Sequence, residues 1–203
     1  MKLLVVAATR FEISPSIPLL EAKGIPYLIT GVGMTATAFA LGKAFVSNHP
    51  YTAILNVGVA GSFDKEIPLG RVVSVHKDTI YELGAQDGSD FISIDELGFG
   101  SGTFYPKGPD LLVDLPSYSA ITVNRVHGHE ESIERFRSKF PDVVLESMEG
   151  AAVFYACAQQ DIASMQVRAI SNYVERRNKS SWKMDLAITN LNNWLQKFVS
   201  ENY

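Results

Sequence analysis

A chain of 203 residues that is 46% hydrophobic and 20% charged can bury a full apolar core, and is most simply one globular domain over residues 1–203. Its net charge of −4, with no basic block, argues against a nucleic-acid partner, because nothing would attract a phosphate backbone over a wide surface. The lone Cys157 rules out a disulfide or a thiolate metal site within the chain, and no apolar stretch is long enough to cross a bilayer, so a reducing cytoplasm is the expected compartment.

Strand-like and helix-like segments alternate along the chain. Met1 to Ala8 is apolar but short, and Arg10 and Glu12 follow at once, so Lys2 to Ala8 reads as a buried first strand rather than a signal peptide. Glu21-Ala22-Lys23-Gly24 has the form of a helix end with a glycine just past it, and Pro26 to Thr30 reads as a second strand. Gly31-Val32-Gly33 leads into an Ala-rich helix, Met34 to Ser47. Ala53 to Val57 is another apolar strand, followed by an expected glycine turn at Gly58-Val59-Ala60-Gly61-Ser62. After a predicted strand at Val72 to Lys77, the pattern from Tyr81 to Leu115 dissolves into Gly, Pro, Asp and Ser. Strands resume afterwards, so this is a long excursion rather than a linker. Ser119 to Val126 is a predicted strand and Glu130 to Lys139 a charged amphipathic helix. Val143 to Leu145 is strand-like, and Ala151 to Ala158 is an apolar helix that buries Cys157 as an inert thiol. Met165 to Ile170 is a strand, and Leu186 to Glu201 a helix with Leu191, Leu195, Phe198 and Val199 on one stripe. This alternation argues for an α/β sandwich with a largely parallel sheet.

Two motifs stand out. Glu146-Ser147-Met148-Glu149-Gly150-Ala151-Ala152 joins a strand to a helix and places Glu149 near a helix N-terminus, where free N–H groups favour an ionised carboxylate. Ala169-Ile170-Ser171-Asn172 closes the next strand and is expected to present Asn172 in the loop beyond it, where ligands sit in open α/β sheets. Glycines at 31, 33, 58 and 61 let backbone approach a ligand closely. The Gly31-x-Gly33 turn lacks the third glycine of a dinucleotide fingerprint, and no Lys-Ser or Lys-Thr pair follows either glycine run as a phosphate loop requires. Tight turns without a ligand account for them equally well.

Taken in order, Val5-Val6-Ala7-Ala8-Thr9-Arg10-Phe11-Glu12, Gly31-Val32-Gly33-Met34, Asn56-Val57-Gly58-Val59-Ala60-Gly61, the Glu146 to Ala152 run and Arg168-Ala169-Ile170-Ser171-Asn172 resemble the nucleoside phosphorylase and nucleosidase superfamily over nearly the whole chain. Within it, Ile170 to Arg177 with Trp182, and Thr122-Val123-Asn124-Arg125-Val126, are most similar to the futalosine hydrolases of the alternative menaquinone pathway. The resemblance implies a three-layer α/β/α sandwich with a largely parallel, partly barrel-like mixed sheet. It also implies a homo-oligomeric N-glycosidase that cleaves futalosine to hypoxanthine and dehypoxanthinyl futalosine, using neither cofactor nor metal.

Cleaving a purine N-ribosyl bond passes through a ribosyl cation, so the sugar must be held for positive charge and electrons drawn into the base. By resemblance, Glu149 accepts from both ribose hydroxyls, Met148 packs beneath the sugar, and Glu12 binds and deprotonates the attacking water. Asn172 takes the place of the Asp of adenine-specific relatives. One acceptor and two donors suit N7–H and the oxygen of a 6-oxopurine such as hypoxanthine. The resemblance places Val59, Ala60, Gly61, Val126, His127, Ser147, Arg168 and Ser171 around the nucleoside. Arg168 is expected to organise the water side, or alternatively to serve an ion pair. Val59 stands where the adenine nucleosidases carry a hydroxyl that assists the water, with Thr9, Thr35 and Ser62 as candidate substitutes.

Other residues carry open readings. His127 and His129 are spaced to project apart, against a metal pair; His127 is expected to face the sugar's distal substituent. Phe104 and Tyr105 either close over the ligand or cover core. Tyr173, Arg176, Arg177 and Trp182 form an expected lid whose arginines bind a substrate carboxylate or simply meet solvent. A nucleoside phosphorylase, with Arg10 and Arg71 cradling phosphate, an adenine nucleosidase and a non-catalytic nucleoside-binding protein are the rival functions.

Overall fold

The computed structural model describes residues 2–46, 51–108 and 114–203. The apolar run Leu3–Ala7 forms β1, with every residue buried, and its parallel neighbours are β2 (Tyr27–Ile29) and β3 (Ala53–Ser62). Between β1 and β2 lie two short helices, α1 (Arg10–Ile13) and α2 (Ile17–Ala22), joined by a 3₁₀ turn. Gly24 follows α2 at φ 65°, the left-handed conformation that glycine adopts without a Cβ penalty, so the expected helix stop is present. Helix α3 spans Met34–Val46; Ser47, its expected last residue, lies outside the described residues, as does Met1.

The remaining strands close a ring. β10 (Ala163–Tyr173) runs parallel to β3 over nearly its full length, and β4 (Val72–Ile80) pairs antiparallel with β10. β8 (Ser117–Thr122) adds in parallel to β4, β9 (Leu145–Ser147) in parallel to β8, and β9 returns antiparallel to the far end of β3. Five strands thus form a closed, barrel-like unit, from which β1 and β2 extend as an open parallel sheet. Helix α6 (Met184–Asn202) covers one face of the open part through Leu191, Leu195 and Val199, packed on Val5, Leu55, Val57 and Val167. On the other face, Leu41 of α3 and Val153 and Cys157 of α5 (Gly150–Gln159) pack on Leu4, Val6 and Ile54. Helix α4 (Glu130–Lys139) closes the side of the ring with Ile133 and Phe136. The three layers and the mixed, partly closed sheet agree with the fold class inferred from the sequence. Cys157 is fully buried and burial pushes its thiol up to about 12, as expected of an inert side chain.

Three local expectations are corrected. The run Gly58 to Ser62 is not a turn but the second half of β3, held by β10 on one edge and β9 on the other. Its glycines serve side-chain approach: a Cβ on Gly58 would lie 2.8 Å from Glu12 Oε1, and one on Gly61 2.9 Å from Val174 Cγ2 and 3.2 Å from Asn172 Nδ2. Asn172 lies inside β10 rather than in a loop, because pairing with β3 continues through Tyr173 after an irregularity between Ile170 and Asn172. The strand expected at Ser119 to Val126 begins and ends earlier, at Ser117 and Thr122. Within the 81–115 excursion the chain forms a hairpin of β5 (Gly84–Asp87) and β6 (Asp90–Ser93), and β7 (Thr103–Phe104) pairs with β4; residues 109–113 of the excursion lie outside the described residues.

Candidate active site

Glu12 sits at the third position of α1, just past the end of β1, and is 8% exposed. Its Oε2 accepts from the Thr9 N–H at 2.9 Å and from the Thr9 hydroxyl at 3.0 Å, and its Oε1 accepts from the Val59 N–H at 3.2 Å. The carboxylate is therefore fixed at the level of Gly58 and Val59 on β3. Arg168 reaches the same level, its Nη1 lying 3.4 Å from where a Gly58 Cβ would stand. Arg168 is 2% exposed; one Nη donates to Asn56 Oδ1, the other to the Val167 carbonyl, and its Nε has no partner among the described residues. Burial lowers the Arg168 pKa, an effect that the nearby carboxylates of Glu149, Asp78 and Glu12 oppose.

Glu149 caps α5 and is half-buried. The Gly33 N–H donates to its Oε1 at 2.8 Å, which brings the turn before α3 against the start of α5. Burial raises the Glu149 carboxyl above its ordinary value. The Gly33 N–H and Arg168 pull the other way, and Glu12 adds to the rise. The charges of Glu149, Glu12 and Arg168 therefore act on one another. Met148 packs against the Phe63, Ile121 and Phe136 cluster, while Ser147 is 5% exposed and its hydroxyl accepts from the Gly150 N–H at 3.4 Å, so this serine supports the helix start.

Beneath α5 lies a polar cluster that the sequence reading missed. Asp78 of β4 is fully buried, accepting from the Thr122 hydroxyl at 2.9 Å and from Gln166 Nε2 at 3.0 Å, and Thr122 in turn accepts from the Ala151 N–H at 2.8 Å. Burial pushes the Asp78 carboxyl up to about 6. Between the unfolded value near 3.8 and that level, the folded chain holds a proton that the unfolded chain has released. Stability from this group therefore falls as pH rises from about 4 to about 6, and is flat above. Asp78→Asn is expected to raise the melting temperature relative to the parent at pH 8 and not at pH 4, measured by thermal denaturation. An asparagine can accept from Thr122 and donate to Gln166 Oε1, which has no partner among the described residues.

The other end of the site is organised by Gly61. Across one edge of β3 its ladder partner is Glu146, and across the other it is Asn172. Directly paired residues project to the same face, so the irregularity after Ile170 turns Asn172 to the side of Gly61, a common use of a bulge. The Asn172 Oδ1 accepts from the Ser171 hydroxyl at 2.8 Å and its Nδ2 donates to the Tyr173 carbonyl at 3.0 Å. One acceptor site and one N–H remain. Ser171 is buried and also donates to the Ala60 carbonyl at 3.3 Å. Gly61, Val126, His127, Glu146 and Asn172 line a cavity together with Tyr173, Arg176, Arg177 and Trp182. The expected lid is tied down: the Lys183 N–H donates to the Ser171 carbonyl at 2.8 Å, the Arg177 N–H to the Gly128 carbonyl at 3.2 Å, and the Arg177 guanidinium lies 5.4 Å above Trp182.

Glu146 was not among the residues singled out from the sequence, although it opens the motif. It is 4% exposed, and His127 clamps it: the His127 N–H donates to Oε1 at 3.0 Å and Oε2 at 3.2 Å, and its Nδ1 contacts Oε2. The His127 ring is packed among Phe63, Tyr81 and Phe136. His127 thus turns toward Glu146, whereas His129 caps α4 and is exposed. Among the described residues no group of three or more His, Cys, Asp or Glu is placed to hold a metal ion.

The remaining candidates divide as follows. Thr9 supports Glu12, but Ser62 is fully buried in a turn with Asp64, and Thr35 is exposed on α3. Val59 is half-buried and contributes its N–H rather than its side chain. Phe104 covers core, edge-on to Tyr155 at 5.6 Å, and Tyr105 is 61% exposed. Arg10 and Arg71 are both exposed, Arg10 meeting the Tyr27 hydroxyl at 3.5 Å.

The profile of the phosphorylase superfamily matches residues 17–200. A futalosine hydrolase of Streptomyces coelicolor is 30% identical over 185 residues, covering 87% of this chain and 79% of that enzyme. One from Thermus thermophilus is 27% identical over 190 residues, covering 90% and 84%. Among solved structures, the native futalosine hydrolase of Helicobacter pylori superposes with a TM-score of 0.79 at 15% identity, covering 99% of this chain and 98% of that one. The 5′-methylthioadenosine/S-adenosylhomocysteine nucleosidase of Neisseria meningitidis, bound to methylthio-immucillin-A, does so with a TM-score of 0.76 at 18% identity, covering 99% and 100%. At those identities the structural likeness speaks for the fold.

Proposed function

Because the chain belongs to the phosphorylase superfamily and, within it, to the futalosine hydrolase family, we propose that it cleaves the N-glycosidic bond of futalosine with water, giving hypoxanthine and dehypoxanthinyl futalosine. The observation that carries this reading is the meeting of Glu12 and Arg168 at Gly58, with Glu149 near enough for the three charges to act on one another. Glu12 and Arg168 stand at Gly58, and Asn172 stands at Gly61. Three residues of strand separate the two levels, roughly 10 Å at ~3.3 Å per residue. In this reading Glu12 holds a water and takes its proton, the oxygen bonds to the anomeric carbon, and the carbon–nitrogen electron pair passes into the purine. Glu149 accepts from the ribose hydroxyls and favours positive charge on the sugar. The Asn172 amide meets N7–H and the 6-oxo group, and the base departs after taking up a proton from solvent. Val59 N–H and Thr9 replace the absent hydroxyl by fixing Glu12 itself.

Residues 1–203 act as one domain in this account, in the cytoplasm and without a cofactor or metal. A homo-oligomer is supported by Val32, Phe39 and Val46 on and before α3, exposed by 58%, 70% and 85%, since such apolar surface is ordinarily covered. The assay is incubation with futalosine, inosine and methylthioadenosine in phosphate-free buffer. Hypoxanthine from futalosine is the expected product. A strict requirement for phosphate would indicate a phosphorylase, adenine from methylthioadenosine alone an adenine nucleosidase, and binding without release a nucleoside-binding protein.

A further inference from the structure

We propose that Glu146 is the residue that reads the N1–H edge of a 6-oxopurine, with His127 as the residue that positions its carboxylate. The inference rests on the cavity around Gly61 being the base subsite. Glu146 and Asn172 are the two ladder partners of one glycine, so their side chains rise on the same face on either side of a position with no side chain of its own. Both side chains line the same cavity, so a flat ring held there meets an amide on one edge and a carboxylate on another. On a 6-oxopurine, N7 and the 6-oxygen share one edge and N1–H follows directly around the ring. Asn172 matches the first edge and leaves N1–H for an acceptor.

An ionised carboxylate only accepts. His127 uses three of the acceptor positions of Glu146, through its N–H and its Nδ1, and one oxygen keeps a further lone pair. The clamp also prevents the carboxylate from turning away, so no ordering is needed when a base arrives. Adenine has a bare nitrogen at position 1, which would set one acceptor against another in a pocket where Glu146 is 4% exposed. Discrimination against 6-aminopurines then comes from two places, Asn172 and Glu146.

The test is calorimetric titration of the protein with hypoxanthine, 1-methylhypoxanthine and adenine, which needs no turnover. The parent is expected to bind hypoxanthine at least about tenfold more tightly than either other base, as one hydrogen bond to a charged group supplies. In Glu146→Ala the preference over 1-methylhypoxanthine should fall to within about threefold. Because that variant leaves the His127 donors unpaired, Glu146→Gln is the second. Its amide oxygen still accepts from His127 while its N–H₂ meets N1 of adenine, so the adenine to hypoxanthine affinity ratio should rise at least about tenfold. Unchanged preferences in a folded variant overturn the inference while leaving futalosine cleavage by the parent intact. Absence of cleavage by a parent whose preferences depend on Glu146 as described sinks the hydrolase reading and supports the inference.

Discussion

Replacing Glu12 by glutamine is expected to slow base release about 10²–10⁴-fold, the range for removing a positioned general base, with hypoxanthine binding little changed. The substitution isolates chemistry from structure. Glutamine at the third position of a helix still accepts from the Thr9 N–H as a capping box requires, while its NH₂ no longer accepts from the Val59 N–H, so α1 should form with a melting temperature only several degrees lower. What glutamine cannot do is take a proton from water. Single-turnover kinetics on futalosine, with calorimetric titration of hypoxanthine as the control, checks the prediction. A variant that retains parental turnover would show that the water is activated elsewhere.

Glu149→Ala is expected to cost as much, by a different route. It removes a carboxylate that accepts from the Gly33 N–H at 2.8 Å and, in the proposed reaction, from two ribose hydroxyls. Two hydrogen bonds to a charged acceptor at ~1.5–3 kcal/mol each correspond to a loss of about 10²–10⁴ in kcat/KM. The pH profile separates this role from mere packing. Burial raises the Glu149 carboxyl above its ordinary value of 4.5, helped by the nearby Glu12 and opposed by the Gly33 N–H and Arg168. Since the ionised form binds the sugar, activity should fall on acidification at a pH above 4.5, where an unperturbed glutamate would still be charged. Glu149→Gln should abolish that limb and retain little activity. A limb that survives in the glutamine variant would assign the titration to another group.

The core elements were legible because their burial is one-sided or complete. β1 is apolar at every position and α6 carries a stripe, so sequence periodicity and structure agree there. The residues around Gly58 and Gly61 were misread for a physical reason. Glycine-rich sequence ordinarily signals a turn, but here glycines sit in a strand because Glu12 crowds Gly58, and Val174 and Asn172 crowd Gly61. Asn172 was legible as a chemical group but not as part of β10, since only tertiary pairing with β3 extends the strand past Ile170. Glu146 and Asp78 gave no signal on their own. Each acquires meaning from a partner far along the chain, His127 for the first and Gln166 and Thr122 for the second.

The central claim is that Glu149 and Asn172 hold opposite ends of one nucleoside. A crystal structure of the protein with a non-hydrolysable 6-oxopurine nucleoside tests it most directly. The Glu149 carboxylate is expected within about 3.2 Å of the ribose hydroxyls and the Asn172 amide within about 3.2 Å of N7 and the 6-oxygen of the same molecule. A ligand that touches one of these residues while the other faces empty solvent would contradict it.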